Sequence, residues 1–106
     1  MASARAFFEQ VLPNKLTAET AADLGAIFQF NIEGDGGGSW TVDFTAPTEW
    51  VSEGNDSDAD CTISMKEADF IGILDRKVNP QMAFMMGKIR VAGNLALSLK
   101  LPKILA

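Results

Sequence analysis

Two stretches of strict alternation, separated by glycines, constrain this chain more than any other feature. Phe28, Phe30 and Ile32 alternate with Gln29, Asn31 and Glu33, and Trp40, Val42 and Phe44 alternate with Thr41, Asp43 and Thr45. Successive side chains of a strand point to opposite faces, so each stretch predicts a strand with one oily face and one wet face. Asp35-Gly36-Gly37-Gly38 lies between them and supplies the positive φ angles that a hairpin turn needs.

Helical spacing precedes the hairpin. Phe7, Phe8, Val11 and Leu12 follow Ser3, a candidate N-cap, and predict an amphipathic helix over residues 3–12 that Pro13 stops. A second short helix is predicted over 17–24, with Gly25 as its C-cap. After the hairpin a third strand is expected over 49–53, then a loop over 54–60, then a fourth strand in which Cys61, Ile63 and Met65 alternate with Thr62 and Ser64. From Lys66 the helical period returns, with Phe70, Ile71, Ile73 and Leu74 on one face ending before Val78. Asn79-Pro80 places a capping side chain before a proline at the first helical position, opening a helix that carries Met82, Phe84, Met85 and Met86 and stops at Gly87. Residues 88–92 read as a fifth strand. Gly93-Asn94 then turns into a tail whose alternate leucines suit a strand, while Leu97, Leu101, Ile104 and Leu105 suit a helix; with Asn94 able to cap, the reading is helix, with Pro102 interrupting it or starting a final turn. No repeat or linker divides the chain, and residues 1–106 are expected to form one domain.

Composition removes much of enzymology. The chain has no His, no Tyr and a single Cys, Cys61. A Ser-His-Asp or Cys-His nucleophile pair, a His-ligated zinc, a Cys₄ zinc site and an internal disulfide are therefore all excluded within one chain. Residues 1–60 hold two cations against eleven anions, whereas residues 61–106 hold seven cations against three anions, so the net charge of −5 conceals an acidic front and a basic back. A net acidic chain is a poor nucleic-acid binder, and the basic back reads as a solvated face or as a surface for transient contact with an anionic membrane. No stretch approaches the roughly 18 unbroken apolar residues of a membrane span, and the first ten residues lack the apolar core of a secretory signal. The expected address is cytoplasmic. Lys103-Ile104-Leu105-Ala106 is not a peroxisomal tripeptide.

Several motifs invite sharper readings. The glycine run could cradle a phosphate, but it leads into a strand rather than a helix and lacks the lysine of a phosphate loop, so it reads as a turn. Asp56, Asp58, Asp60 and Glu67 fall at calcium-loop spacing, yet Cys61 stands where the loop needs glycine, and the reading is a solvated loop with no metal. Asn55-Asp56-Ser57 is a glycosylation sequon without a secretion signal. The acidic residues single out no acid–base pair. Met82, Met85 and Met86 beside Phe84 give flexible, polarizable side chains that suit either plain core or an irregular apolar guest.

The order of these segments and the wording of three of them resemble the sterol carrier protein 2 family of lipid-binding domains. The most specific stretch is Asn79-Pro-Gln-Met-Ala-Phe-Met-Met-Gly-Lys-Ile-Arg-Val-Ala-Gly-Asn94, supported by Phe28-Gln-Phe-Asn-Ile32 with its glycine hairpin and Trp40, and by Ala59-Asp-Cys-Thr-Ile-Ser64 before Asp69-Phe70. The resemblance implies an α+β fold: a five-stranded mixed sheet covered on one face by about five helices, with an apolar tunnel between the layers. It implies binding and transfer of fatty acids, fatty acyl-CoA esters or sterols, without catalysis and without a cofactor, by a free-standing monomer. The family's peroxisomal members end in a targeting tripeptide that this chain lacks.

Within that frame the expected tunnel lining is Phe70, Ile73, Leu74, Met82, Met85, Met86, Leu95, Leu99, Ile104 and Leu105, while Phe30, Ile32, Trp40 and Val42 read equally well as sealed core. Lys88, Arg90, Lys100 or Lys103 would meet a lipid headgroup at the mouth. Burying about ten methylenes contributes roughly 8 kcal/mol, near micromolar affinity before ordering costs. An empty tunnel of ~300 Å³ would cost the free protein about 7 kcal/mol, relieved by collapse onto mobile methionines. A different class of function, protein–protein association through the leucine-rich tail, predicts oligomers that need residues 95–106. A third reading, an accessory domain that presents lipid to an enzyme, is compatible with the first.

Overall fold

The oily faces of the two alternating stretches meet in one sheet. The computed structural model describes residues 3–56 and 58–105. Strand β1 (Ile27–Glu33) pairs antiparallel with β2 (Gly38–Asp43), which pairs with β3 (Val51–Glu53). On its other side β1 runs parallel to β4 (Cys61–Lys66), and β4 pairs antiparallel with β5 (Arg90–Gly93), giving the order β3-β2-β1-β4-β5. The register places Trp40, Phe30, Ile63 and Val91 in one row across the sheet, and Val42, Phe28 and Cys61 in the next. The expected α+β fold with a five-stranded mixed sheet is therefore present.

Helices cover this oily face. The first, α1, begins as Ala4–Ala6, widens through a π-helical turn at Phe7–Val11 and ends as Leu12–Lys15. Pro13 was expected to stop it and does not. A proline ring collides with the carbonyl four residues back, here that of Glu9, and the π turn, in which the Leu12 N–H donates to Phe7 O, opens the backbone there. Helix α2 (Ala18–Leu24) ends on the expected cap, a left-handed Gly25, and starts at Thr17, whose Oγ1 accepts from Thr20 N. The later helices are α3 (Glu67–Leu74), α4 (Pro80–Met85), α5 (Leu95–Ser98) and α6 (Leu101–Leu105).

Phe8, fully buried, joins the two layers. Its ring stacks on Trp40 of the sheet at 4.7 Å and on Phe70 of α3 at 5.4 Å, with Phe7 and Phe30 closing the sides. Phe30, Ile32, Trp40 and Val42 are thus sealed core. One carboxylate fixes the register of the layers: Glu67 Oε2 accepts from Ala4 N at 3.1 Å, and Oε1 accepts from Gly36 N at 3.1 Å. The glycine hairpin is sterically required, because a Cβ on Gly37 would meet Ile32 O at 2.1 Å.

The other face of the sheet is polar, and the loop over 54–60 crosses part of it. Gln29, only 3% exposed, is satisfied there. Its Oε1 accepts from Thr41 Oγ1 and Asp56 N, both at 2.9 Å, and its Nε2 donates to Gly54 O at 3.2 Å. Two strands start later than their spacing indicates. Glu49 adopts a left-handed φ of 55°, which delays β3 to Val51. Lys88 N donates to Ala83 O and Gly87 N to Phe84 O, a Schellman closure of α4 that holds residues 88 and 89 out of β5.

Phe8→Ala removes the ring shared by both layers and is expected to cost about 3–5 kcal/mol in urea unfolding, against less than about 0.5 kcal/mol for Val11→Ala on the exposed side of the same helix. Equal effects of the two substitutions would contradict this account of the core.

Candidate functional site

Aromatic side chains fill the space over β1 and β2, but the cover over β4 and β5 consists of short helices and leaves a groove. Its volume is about 520 Å³, and it opens to solvent on one side. Met65 of β4 and Ile89 line it from the sheet side, Ile73, Leu74 and Val78 from α3 and the turn after it, and Leu101, Pro102 and Leu105 from α6. The volume lies within the range of small-molecule sites, and the lining has their character, mostly apolar with a few polar groups. Because the groove is open to solvent, the penalty of a closed internal void does not apply to it.

The turn after α3 forms one wall. Helix α3 ends with Arg76 in a left-handed conformation, φ 61°, and Arg76 N donates to Ile73 O. Lys77 N and Val78 N both donate to Gly72 O, folding the chain back onto the helix. Gly72 permits this approach, since a Cβ there would lie 2.5 Å from Val78 Cγ2. The same turn brings Arg76 and Lys77 to the groove. Among the described residues neither forms a salt bridge. Lys15, whose ammonium lies over the Phe7 ring, is held below the usual lysine range, first by burial and then by the charge of Arg76. Lys15 and Arg76 thus place two positive charges within reach of one another.

The opposite wall, α6, is anchored by the buried side chains of Leu101 and Ile104 and by an ion pair from Lys103 to Asp23 of α2. Lys100 Nζ also donates to Asp23 O at 3.4 Å. The hydrogen bond from Lys103, then its charge, holds the Asp23 carboxyl below the usual carboxylate range.

The structure divides the ten residues expected around an apolar ligand into three groups. Ile73, Leu74 and Leu105 line the groove together. Phe70 and Ile104 are fully buried in the core. Met82, Met85, Met86, Leu95 and Leu99 are exposed, Met85 and Leu99 by 80% and 81%. The expected headgroup cations are placed elsewhere as well: Arg90 pairs with Glu33 at 2.5 Å, Lys103 pairs with Asp23, and Lys88 does not line the groove. Arg76 and Lys77 were not anticipated, because their position depends on a left-handed residue that no glycine announces. The basic dipeptide directly after an apolar helix face was the available signal.

Three of the four carboxylates at calcium-loop spacing have other partners. Glu67 accepts from Ala4 and Gly36, Asp60 Oδ2 accepts from Ile27 N at 2.9 Å, and Asp56 Oδ1 accepts from Asp58 N at 2.8 Å. Among the described residues no three His, Cys, Asp or Glu side chains gather to hold a metal ion. Burial, then Asp60, pushes the Cys61 thiol above its usual range, which keeps it protonated and unreactive at neutral pH. Among the described residues no helix is long and apolar enough to cross a membrane.

A five-stranded mixed sheet in this order, covered on one face by short helices with an open apolar groove beneath the C-terminal ones, defines an α+β domain, and the family follows from sequence comparison. Residues 6–106 match the model of the SCP-2 sterol transfer family, and the chain belongs to that family. It is 36% identical over 97 residues to hydroxysteroid dehydrogenase-like protein 2 of Rattus norvegicus, covering 91% of this chain and 18% of that protein. Among solved structures it resembles sterol carrier protein 2 of Yarrowia lipolytica in its apo form, with 30% identity, a TM-score of 0.73, and coverage of 95% of this chain and 82% of that one. It also resembles palmitated SCP2L2 of Aedes aegypti, with 25% identity, a TM-score of 0.65, and coverage of 95% and 86%. The chain spans between 15% and 23% of the length of the curated relatives it matches.

The Asp23–Lys103 pair gives a pH signature. A carboxylate whose native pKa is depressed contributes stability above its ordinary value and loses it as pH falls through the native value. Amide hydrogen exchange in α6, corrected for intrinsic rates, is expected to accelerate as pH drops below about 3.8. Asp23→Asn should already show the faster exchange at pH 7, and an α6 indifferent to that substitution would contradict the role given to the pair.

Proposed function

We propose that this chain binds a single-chain apolar lipid, with fatty acids the leading class and fatty acyl-CoA esters or sterols as related cargo, in the groove between α3 and α6, and carries it without catalysing any reaction. Membership of a sterol transfer family supports lipid binding. The observation that carries the reading to this place is the groove itself: about 520 Å³, open, lined by Met65, Ile73, Leu74, Val78, Ile89, Leu101 and Leu105, with Arg76 and Lys77 alongside. The palmitated state of the Aedes relative is consistent with an acyl chain as guest.

Each part of the groove has a task in this reading. The apolar lining removes alkyl surface from water at about 25 cal/mol per Å², and burial of about ten methylenes there contributes roughly 8 kcal/mol before ordering costs. The two cations favour a ligand with an anionic end, which their positions leave near solvent. An open groove also lets the cargo leave, as transfer requires. Phe70 and Ile104 act beneath it as core, and the exposed methionines and Leu95 and Leu99 stand outside the contact. The protein acts as a monomer in this account. Association through the leucine-rich tail is the competing reading: the tail buries Leu101 and Ile104 on its own body but leaves Leu95 and Leu99 exposed.

Titration with a fluorescent long-chain acyl probe should give saturable binding in the micromolar range that unlabelled palmitate competes. Leu105→Trp, which fills the groove from the C-terminal helix, is expected to weaken the probe about tenfold while leaving the unfolding midpoint within a few degrees. No saturable, competed signal from the unmodified protein would reject the reading.

A further inference from the structure

Helices α3 and α4 end in the same way. Arg76 N donates to Ile73 O and Gly87 N to Phe84 O, both at 3.1 Å, and the next N–H of each turn, Lys77 N to Gly72 O and Lys88 N to Ala83 O, closes at 2.8 Å. The residues before the turns match as well, Asp75 at φ −84° and Met86 at φ −85°. This Schellman closure needs a left-handed residue, and glycine is the usual one because a Cβ crowds the following carbonyl there. Helix α4 uses Gly87 at φ 76°, and α2 closes on Gly25 at φ 54°. Helix α3 uses Arg76 at φ 61°.

Local stability does not account for the arginine. A cation near a helix C-terminus complements the dipole, but Lys77 supplies that charge one position later without a left-handed backbone. Residues held in a sparsely populated backbone region concentrate at functional sites. Among the described residues two other than glycine have a left-handed backbone: Glu49, which does not line the groove, and Arg76, which does. Arg76 is exposed and forms no salt bridge among the described residues, although Asp75 is its neighbour in the turn. Its charge also reaches Lys15, so an anion beside it would feel more than one cation. The planar fork of an arginine can meet both oxygens of a carboxylate at once, which the point charge of a lysine cannot do.

We propose that Arg76 is the specificity-determining residue of the groove: it pairs with the carboxylate of a bound fatty acid, so the groove favours ionised acyl chains over uncharged lipids such as fatty alcohols and sterols. The arginine is kept at a position that suits glycine because of this contact. The assignment rests on the groove reading above.

Displacement of the fluorescent acyl probe from the intact chain by laurate and by dodecanol, which share one chain length and differ in charge at pH 7, tests it. Arg76→Gly is expected to weaken laurate about fivefold at low salt and dodecanol by less than about twofold. The same variant should hold the unfolding midpoint or raise it by about 2–5 °C, because glycine removes the crowding at φ 61°. Arg76→Lys, which keeps the charge on the same backbone, should retain part of the laurate affinity that Arg76→Gln loses, and the difference should shrink as salt rises toward about 0.5 M. Equal losses for the two ligands, an unchanged laurate affinity, equal behaviour of the lysine and glutamine variants, or a midpoint of Arg76→Gly lowered by several degrees would overturn the assignment and leave Arg76 a structural cap. Failure of both ligands to bind the unmodified protein would reject the groove reading and this assignment with it. Retained binding with an unaltered ratio of laurate to dodecanol affinity rejects the assignment alone.

Discussion

The oily face of the sheet is the constraint on which the rest of this structure depends. Phe28, Phe30, Trp40, Val42, Ile63 and Met65 form a surface that has to be covered, and the chain covers its two halves differently. Over β1 and β2 the cover is α1, and the ring of Phe8 between Trp40 and Phe70 fills the gap completely. Over β4 and β5 the cover is four short helices with small buried faces, and the space they fail to fill is the groove. The groove is thus a consequence of unequal packing on one sheet. Glu67 makes the arrangement definite, because a single carboxylate holds the start of α1, the glycine hairpin and the start of α3 together.

Much of this was legible in the sequence because it is local. Alternation of apolar residues announced β1, β2 and β4, and the capping side chains of Ser3, Asn79 and Asn94 marked three helix starts with the hydrogen bonds later observed. Pro13 misled because a π turn is a backbone adjustment that no residue type signals. The start of β3 was missed for a similar reason, a left-handed Glu49.

The site was less legible than the fold. Periodicity tells which face of a helix is apolar, but not whether another element arrives to cover it. Met85 and Leu99 satisfy the pattern of inward residues and remain exposed, while Val78 and Ile89, in no helix, reach the groove. Charges behave alike. Lys103 and Asp23 lie 80 residues apart, and Arg90 and Glu33 lie 57 apart, so which cations remain available to a ligand or a membrane is decided only by the tertiary structure.

The groove is built by residues from Met65 onward, while the aromatic cluster of Phe7, Phe8, Phe30, Trp40 and Phe70 holds the layers together. The most direct test of the central claim, that an alkyl chain occupies the groove, is nuclear Overhauser contact between bound palmitate and methyl-labelled protein. The account predicts contacts from the alkyl chain to the methyls of Ile73, Leu74, Val78, Ile89, Leu101 and Leu105, and none to Val42 or Ile63 in the core. Contacts confined to Leu95 and Leu99, or an unperturbed set of groove methyls at saturating palmitate, would contradict it.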